Sequence, residues 1–434
     1  MFESLAKRFK LDRGGADDEL EWVQPAEDVL RIYFVHDPDD VLDEAKFAWE
    51  DRGFVPEFTH QLFGQDEKVK GYKGLQIKVA LHSFTLHAYV KIAYEQKRPG
   101  ADDVRHFLKE NIGLHFTEDA AEFTREVRSS ATSIEEALRS DACTSRTHRS
   151  RSGDPCQIVR FRPAEVNELR AWHDRYQALP LLFIDGANYI DNEDSRWDVF
   201  VYLTNSGSDT KEGRSDRAQV AGFCTVYSFY AYPERKRLRL SQILVFPPHR
   251  HKGVASSMLT EIYEFAAHIG ALDVTVEDPS EDFQLIRERV DLQRLFGAQE
   301  TLKAIQKELR EIADGTIHVP KKWVYDRAES ELKIHKAQFR KVWELLVFKI
   351  LGKASARRLV EKRLQNDESG QKDDRKAVVD MEPPFGTGGF IMKRWPFQMS
   401  HASADLDEKV DGEGEDAAII ETRMTQIVTI SNKL

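Results

Sequence analysis

The sequence predicts an α/β protein with a mixed unit first, a strand–loop–helix unit in the middle and helices after it. Three observations lead to this fold class. Short runs of β-branched and aromatic residues alternate with polar residues in the first half of the chain, as in half-buried strands. A strand-like run at residues 238–246 leads through a short loop into a run with helical apolar spacing at 253–269. Residues 301–351 again carry apolar side chains at helical spacing.

The bulk composition narrows the class of protein. With 434 residues the chain is too long for one ordinary domain, so two or three are expected. The formal net charge of -11 argues against DNA binding as the main task and favours basic partners. The three cysteines form no CxxC pair, which predicts a reducing compartment and no zinc site. No apolar run reaches the roughly eighteen residues of a membrane span, and the chain has no signal-peptide pattern, so we expect a soluble intracellular protein.

The N-terminal part is expected to be a flexible lead-in at 1–22 followed by an α/β domain at 23–162. The strands of this domain are predicted at residues 29–36, 75–79 and 85–94. Within it, residues 128–155 are rich in Ser, Arg, Asp and Thr and nearly free of large apolar residues, which predicts a disordered insert.

A second domain is predicted at 163–299, followed by a helical domain at 300–364 and a disordered tail at 365–434. The tail is expected because its sequence becomes rich in Gly, Asp and Glu. The predicted elements of the second domain are helices at 164–178, 253–269 and 279–296 and strands at 197–204, 220–230, 238–246 and 272–276.

The loop before the helix at 253–269 carries the most informative motif, Arg250-His251-Lys252-Gly253-Val254-Ala255, of the form Arg/Gln-x-x-Gly-x-Gly/Ala. A strand, a tight loop and a helix start together expose backbone N–H groups at the positive end of a helix dipole, which suits a pyrophosphate. The small residues let the backbone approach the phosphates. This segment resembles the acetyl-CoA loop of the GNAT acetyltransferases, which implies a GNAT core in the second domain.

Acetyl transfer to a lysine amine needs a base, because a pKa of about 10.4 leaves under roughly one amine in a thousand nucleophilic at neutral pH. A carboxylate with a pKa raised by burial usually takes the proton, and a backbone N–H polarises the thioester carbonyl. We expect that N–H from Ile243-Leu244-Val245. Glu277 and Asp278 follow a predicted strand and point to opposite faces. Asp278 precedes Pro279 and is predicted to be the N-cap of the next helix, which leaves Glu277 as the better base.

Longer motifs resemble the catalytic subunit of the type B histone acetyltransferases. They are Pro-Glu-Phe-Thr-His-Gln-Leu-Phe-Gly at 56–64, Gly-Tyr-Lys-Gly-Leu at 71–75, Gly-Phe-Cys-Thr-Val-Tyr-Ser-Phe-Tyr-Ala-Tyr-Pro at 222–233, Ser-Gln-Ile-Leu at 241–244 and Val-Glu-Asp-Pro-Ser at 276–280. The first two lie outside a GNAT core and are similar to this family's own N-terminal domain. The similarity runs from about residue 30 to 364, with an interruption near 128–155.

The resemblance implies that acetyl-CoA is the donor, with no metal, and that the acceptor is a lysine of the N-terminal tail of free, newly made histone H4. It implies Glu277 as general base and a WD-repeat histone chaperone as partner. We expect a location in the cytoplasm and nucleus, with no direct DNA or membrane binding. The implied cofactor contacts are Ile243, Leu244, Val245, Arg250, His251, Lys252, Gly253, Val254, Ala255 and Ser256. The implied substrate contacts are Gln65, Asp66, Glu67, Trp197, Tyr227, Ser228 and Phe229.

Two departures and several alternatives stay open at the sequence level. Relatives often carry a Glu where Asp185 stands, and glutamines where Arg250 and Lys252 stand. Asp185 and Asp278 therefore remain candidates for a helper base. Cys224 could form an acetyl-cysteine, although a buried structural thiol is favoured because no His stands beside it. The rival functions are acetylation of another amine substrate and a histone escort with little catalysis.

Overall fold

The computed structural model describes residues 21–43, 53–150, 153–205, 218–311, 319–377 and 412–433. Most of the predicted lead-in, two residues of the predicted insert and residues 378–411 of the predicted tail lie outside these residues. The chain divides into two compact units, Met1–Phe283 and Gln284–Leu434.

The first unit holds the strands and seven described helices. In chain order the strands are β1 Val23–Pro25, β2 Leu30–Val35, β3 Lys68–Lys70, β4 Tyr72–Lys73, β5 Gln76–His82, β6 Ala88–Ala93, β7 Gln96–Lys97, β8 Phe116–Thr117, β9 Thr144–Arg149, β10 Pro155–Phe161, β11 Trp197–Asn205, β12 Ala218–Ala231, β13 Arg235–Val245 and β14 Val274–Val276. The helices are α1 Ala26–Val29, α2 His60–Phe63, α3 Val104–His106, α4 Ala120–Leu138, α5 Asn167–Tyr176, α6 Ala178–Phe183 and α7 Val254–His268. The strands and helices predicted for the catalytic core are confirmed, with ends shifted by a few residues.

A six-stranded sheet in the order β14-β13-β12-β11-β10-β9 positions the site. Its neighbouring strands are antiparallel except for β13 and β14, which run parallel. A four-stranded sheet, β2-β5-β6-β8, and two small two-stranded sheets complete the unit. The parallel strands β13 and β14, at one edge of the six-stranded sheet, position the site most directly. Helix α7 connects them and begins beside their carboxyl ends.

The predicted N-terminal domain and the predicted GNAT domain share one hydrophobic core. Ile77 and Val90 from the smaller sheet and Phe223 and Phe246 from the larger one belong to the same cluster of buried side chains. The ring centroids of Phe34 and Phe246 lie 5.0 Å apart. Burying these apolar surfaces together is the dominant force that fixes the two sheets against each other.

The disordered insert predicted at 128–155 is wrong for its described residues. Helix α4 continues to Leu138, and its apolar face buries Val127, Ala131 and Ile134 at helical spacing. The apolar face is hard to recognise in the sequence, because within the predicted insert only Ala131 and Ile134 of this helix are fully buried. Strand β9 is almost entirely polar since it forms the edge of the sheet and pairs only with β10 among the described strands.

The second unit is helical. Its helices are α8 Glu281–Gly297, which spans the division, and α9 Gln299–Glu311, α10 Lys322–Leu332, α11 Lys336–Leu351, α12 Lys353–Ala377 and α13 Gly412–Asn432. The predicted border at residue 299 thus differs from the observed division. The helical character of the C-terminal region is confirmed.

The predicted disordered tail is wrong at the C-terminal end, because α13 is folded onto the helical unit. Met424, Ile427 and Ile430 are buried. Arg423 donates to a Glu288 oxygen at 2.8 Å and a Glu344 oxygen at 2.9 Å, and both carboxylates are almost completely buried. Because a buried charge without a partner is costly, this network holds α13 in one register.

Candidate active site

Strands β13 and β14 part in the middle of β13 and form a fork. Their pairing covers only Leu238–Leu240 against Val274–Val276. The Leu238 N–H donates to the Asp273 carbonyl at 3.1 Å, and the Glu277 N–H donates to the Leu240 carbonyl at 2.9 Å. From Ser241 onward β13 continues without a described partner strand on that side. A gap therefore opens between the two strands, with Glu277 at its base.

A β-bulge on β13 turns its backbone toward this gap. Opposite β12, Thr225 pairs with Gln242 and Val226 with Leu240, so Ser241 is an extra residue. Before the bulge the even-numbered residues of β13 bond to the β14 side, but Phe246 donates to the Ala221 carbonyl on the β12 side at 3.0 Å. Because backbone groups alternate along a strand, Ile243 and Val245 now point their N–H groups into the gap.

The predicted acetyl-CoA loop lies between the end of β13 and the start of α7. His251 and Gly253 both have left-handed backbone conformations, with φ of 61° and 87°. Gly253 is the N-cap of α7 and places no side chain over its first N–H groups. The free start of a 15-residue helix next to an opened strand edge fits a pyrophosphate and a thioester. Val254, Ala255 and Ser256 form the first turn of that helix.

Two basic side chains of the loop face the N-terminal part of the unit. Arg250 forms an ion pair with Glu57 and donates to the Val245 carbonyl at 3.2 Å. Lys252 lines a cleft described below. Direct contacts of these two side chains with a pyrophosphate stay a prediction.

Glu277 is held at the fork by the bulge residue. The Ser241 hydroxyl donates to Oε2 of Glu277 at 2.8 Å. The Glu277 side chain is exposed, so its carboxylate is open to a substrate and to solvent. The burial expected for a general base is therefore not present, and the position of Glu277 rests on this hydrogen bond and on its bond to Leu240.

Asp185 lies on a segment, residues 184–192, that is tied to the same bulge. The Gln242 side chain donates to the Asn188 carbonyl at 2.5 Å. Gln242 directly follows Ser241, the residue that contacts Glu277. A buried network anchors the far end of the segment, since Asn192 donates to Asp174 at 2.6 Å and lies 2.8 Å from Nδ1 of His173. Burial lowers the pKa of His173 to about 4, so this ring is neutral near pH 7.

Asp278 is not the helix N-cap, which corrects the prediction. The Phe283 N–H lies 3.3 Å from the Ser280 hydroxyl, so Ser280 caps α8. Asp278 instead adopts a left-handed conformation with φ of 32° and is exposed. Asp residues tolerate this conformation better than most, and the sharp turn lets the chain leave β14 toward α8.

A row of side chains crosses four strands beside the fork. The register places Trp197, Tyr227, Arg239 and Thr275 opposite one another in turn. The Trp197 and Tyr227 rings lie 4.8 Å apart, and the Tyr227 and Phe229 rings 4.6 Å apart. All three aromatic rings are partly exposed, and Trp197 also packs against the main hydrophobic core. We call this group of three rings the aromatic floor. Side chains alternate between the two faces of a sheet, so Glu277, two residues after Thr275, lies on the same face as the aromatic floor.

Polar groups border the aromatic floor. The Tyr227 hydroxyl donates to Asp194 at 3.2 Å, and Ser228 N–H donates to the Arg196 carbonyl at 3.0 Å. Hydrogen bonds from Arg196 lower the pKa of Asp194, which keeps it ionised. The Arg239 guanidinium lies 4.7 Å from the Phe229 ring.

The predicted contacts at 65–67 have different surroundings. Gln65 and Asp66 are exposed, and Asp66 lies 3.7 Å from the Lys70 ammonium. Glu67 accepts from the Thr59 N–H at 3.0 Å and from its hydroxyl, so it fixes the turn after α2. No described contact joins these residues to the aromatic floor, and their role as substrate contacts stays a prediction.

Sequence reasoning missed the supporting residues Ser241, Gln242, Asn188 and Glu57. Ser241 and Gln242 lie in the motif at 241–244, but their partners are distant in sequence and only the fold brings them together. Cys224, in contrast, is fully buried in β12, and burial raises the pKa of its thiol. This environment suits a structural thiol rather than a nucleophile.

The described residues contain no group of three or more His, Cys, Asp or Glu side chains that could hold a metal ion. Among the same residues, no helix has both the length and the apolarity that a membrane span requires.

Comparisons with known proteins agree with this geometry. A family model described as "Histone acetyl transferase HAT1 N-terminus" matches residues 22–185, and one described as "Acetyltransferase (GNAT) family" matches residues 169–283. An alignment of 458 positions with the Arabidopsis thaliana protein named "Histone acetyltransferase type B catalytic subunit" shows 27% identity. It covers 99% of this chain and 95% of that protein. Proteins of the same name from Cryptococcus neoformans and Rattus norvegicus are each 27% identical, covering 79% and 73% of this chain and 88% and 72% of those proteins. The chain is therefore a GNAT acetyltransferase that uses acetyl-CoA, and it is similar over most of its length to proteins named as the type B histone acetyltransferase catalytic subunit.

Proposed function

We propose that this protein acetylates lysine side chains in the N-terminal tail of free, newly synthesised histone H4 by direct transfer from acetyl-CoA, with Glu277 as general base. The observation that carries the proposal is the position of Glu277. Its carboxylate is held by Ser241 at the point where β13 turns the N–H groups of Ile243 and Val245 into the gap. This arrangement supports a base and an oxyanion donor acting at one place.

The chemistry follows from these groups. Glu277 accepts a proton from the lysine ammonium, directly or through a water, and the neutral amine attacks the acetyl carbon. The new N–C bond forms as the C–S bond breaks, and the CoA sulfur leaves as a thiolate. The nitrogen then loses its second proton, which passes directly or through a water to that thiolate and gives the CoA thiol. An N–H of Ile243 or Val245 donates to the carbonyl oxygen as negative charge develops there. The start of α7, with Gly253, holds the pyrophosphate through backbone N–H groups.

The aromatic floor supports a basic, extended peptide as acceptor. Lysine and arginine stems pack well on exposed aromatic rings, such as those of Trp197 and Tyr227. The ionised Asp194 and the exposed Asp66 add negative charge on the same unit. The exposed Asp185 is the helper base in this proposal, since Gln242 fixes its segment beside Ser241.

The proposal includes a partner and a location. The relatives are named catalytic subunits, which supports a complex, and we propose a WD-repeat histone chaperone as the second subunit. Newly made histones pass from the cytoplasm to the nucleus, so we propose both locations. Co-purification of the full chain with a WD-repeat chaperone from a co-expressing cell tests the pairing, and failure to co-purify contradicts it.

The substrate is tested by mass spectrometry with the full chain, acetyl-CoA and three acceptors: an H4 tail peptide, a polyamine and assembled nucleosomes. The proposal predicts prompt lysine acetylation of the free peptide and much slower modification of the other two. Preferred acetylation of the polyamine would establish the rival amine substrate. Tight binding of the peptide without acetylation would establish the escort function.

A further inference from the structure

A cleft of about 220 Å³ lies beside the acetyl-CoA loop, next to the strands of the N-terminal region. We call it the anion cleft. Phe34 and Phe54 form an apolar wall, with ring centroids 5.5 Å apart. The polar side of the cleft is formed by His36, Ser83, Gln219, His249 and Lys252.

The polar side of the anion cleft is uniformly cationic or neutral. Its lining residues in the described part of the chain include two histidines and one lysine but no carboxylate. The Ser83 hydroxyl lies 2.9 Å from Nδ1 of His36. Burial, and then the nearby Lys252 and His36, lowers the pKa of His249 to about 4. The cleft therefore combines the Lys252 cation with imidazole and hydroxyl groups, and none of its lining residues carries a negative charge.

We propose that the anion cleft binds a phosphate group. The Lys252 ammonium, the imidazoles of His36 and His249 and the Ser83 hydroxyl supply hydrogen-bond donors to one anion. The cleft is large enough for the anion together with part of a larger molecule against the Phe34 and Phe54 rings.

Two sources can supply this phosphate group, and they share the same chemistry. One is inorganic phosphate from solution. The other is the 3′-phosphate of CoA, because His249 and Lys252 belong to the loop that precedes α7. The second source rests on the proposed use of that loop for acetyl-CoA, whereas the first is independent of it.

The binding test uses the full chain and inorganic phosphate, titrated at constant ionic strength and followed by isothermal calorimetry. Saturable binding is expected in the wild type. Lys252→Met weakens it about tenfold and His36→Gln several-fold, because each removes a donor to the anion. Lys68→Met and His106→Gln, which change exposed residues away from the cleft, leave it unchanged. Absence of saturable binding, or equal affinity in all four variants, overturns the proposal. Either cleft variant suffices if the other does not fold.

Competition then identifies the source without any measurement of acetylation. If CoA displaces phosphate but 3′-dephospho-CoA does not, the anion cleft receives the 3′-phosphate. If neither displaces it, the ligand is free phosphate. If both displace it equally, phosphate lies in the pyrophosphate site and the anion cleft is not the binding site. Because binding rather than turnover is measured, failure here is distinct from failure of the proposed function.

Discussion

Replacing Ser241 by alanine tests whether the bulge on β13 positions the general base. Ser241→Ala removes the hydroxyl that donates to Glu277 at 2.8 Å and leaves the backbone bonds of the fork in place. Glu277 is exposed, so water can replace part of the lost interaction. A net hydrogen bond is worth about 1 kcal/mol. That free energy corresponds to about a fivefold decrease in kcat.

The assay is steady-state acetylation of the H4 tail peptide together with direct measurement of the acetyl-CoA Kd. We expect a lower kcat with an unchanged Kd, since the acetyl-CoA loop does not contact Ser241 among the described contacts. Ser330→Ala, on an exposed face of α10, is the matched control and should behave as the wild type.

A double-mutant cycle decides whether Ser241 acts through Glu277. Combining Ser241→Ala with Glu277→Gln should cost no more than Glu277→Gln alone, because the hydroxyl has no other role in catalysis. A further fivefold loss in the double variant, or wild-type activity of Ser241→Ala, would refute the positioning role.

Three further predictions concern other parts of the chain. Arg423→Met removes the ion pair of the buried Glu288 and one of the two ion pairs of the buried Glu344, which keeps Arg363. It should destabilise the helical unit by about 3 kcal/mol, with faster amide exchange in α13. Arg357→Met breaks only exposed pairs and should cost under about 1 kcal/mol in denaturant unfolding. Burial first, and then nearby positive charges, lowers the pKa of His87 to about 3, compared with about 6.5 in the unfolded chain. The contribution of the neutral ring to folding stability is therefore fully present above pH 6.5 and is lost as the pH falls toward 3. His87→Asn should flatten the pH dependence of the unfolding free energy by up to about 1.4 kcal/mol per pH unit, and an unchanged slope would contradict this. Gly253→Ala places a side chain at φ 87° and should weaken acetyl-CoA binding about tenfold in calorimetry, and an unchanged Kd would exclude strain at this position.

Local patterns predicted the core elements and the loop. Strands β11, β12 and β13 and helix α7 carry strong periodicities, so their existence could be inferred before any tertiary contact was known. The acetyl-CoA loop could be found for the same reason, because Gly253 and its neighbours form a local conformational motif.

Long-range contacts could not be predicted. The bulge at Ser241 depends on the register against β12, and the pairs Gln242 with Asn188 and Arg250 with Glu57 join residues far apart in the chain. Helix α13 was missed because linker-like stretches rich in Gly, Asp and Glu precede it in the sequence. Its stability comes from the tertiary contacts of Arg423 and of its apolar face.

The central claim is that Glu277 removes the proton from the acceptor lysine. Single-turnover acetylation of the H4 tail peptide by the wild type and by Glu277→Gln, with saturating acetyl-CoA, tests it most directly. The account predicts a rate about 100- to 10,000-fold lower in the variant, with unchanged acetyl-CoA affinity. A variant rate within a few-fold of the wild type would contradict the account and assign the base to another carboxylate, such as Asp185.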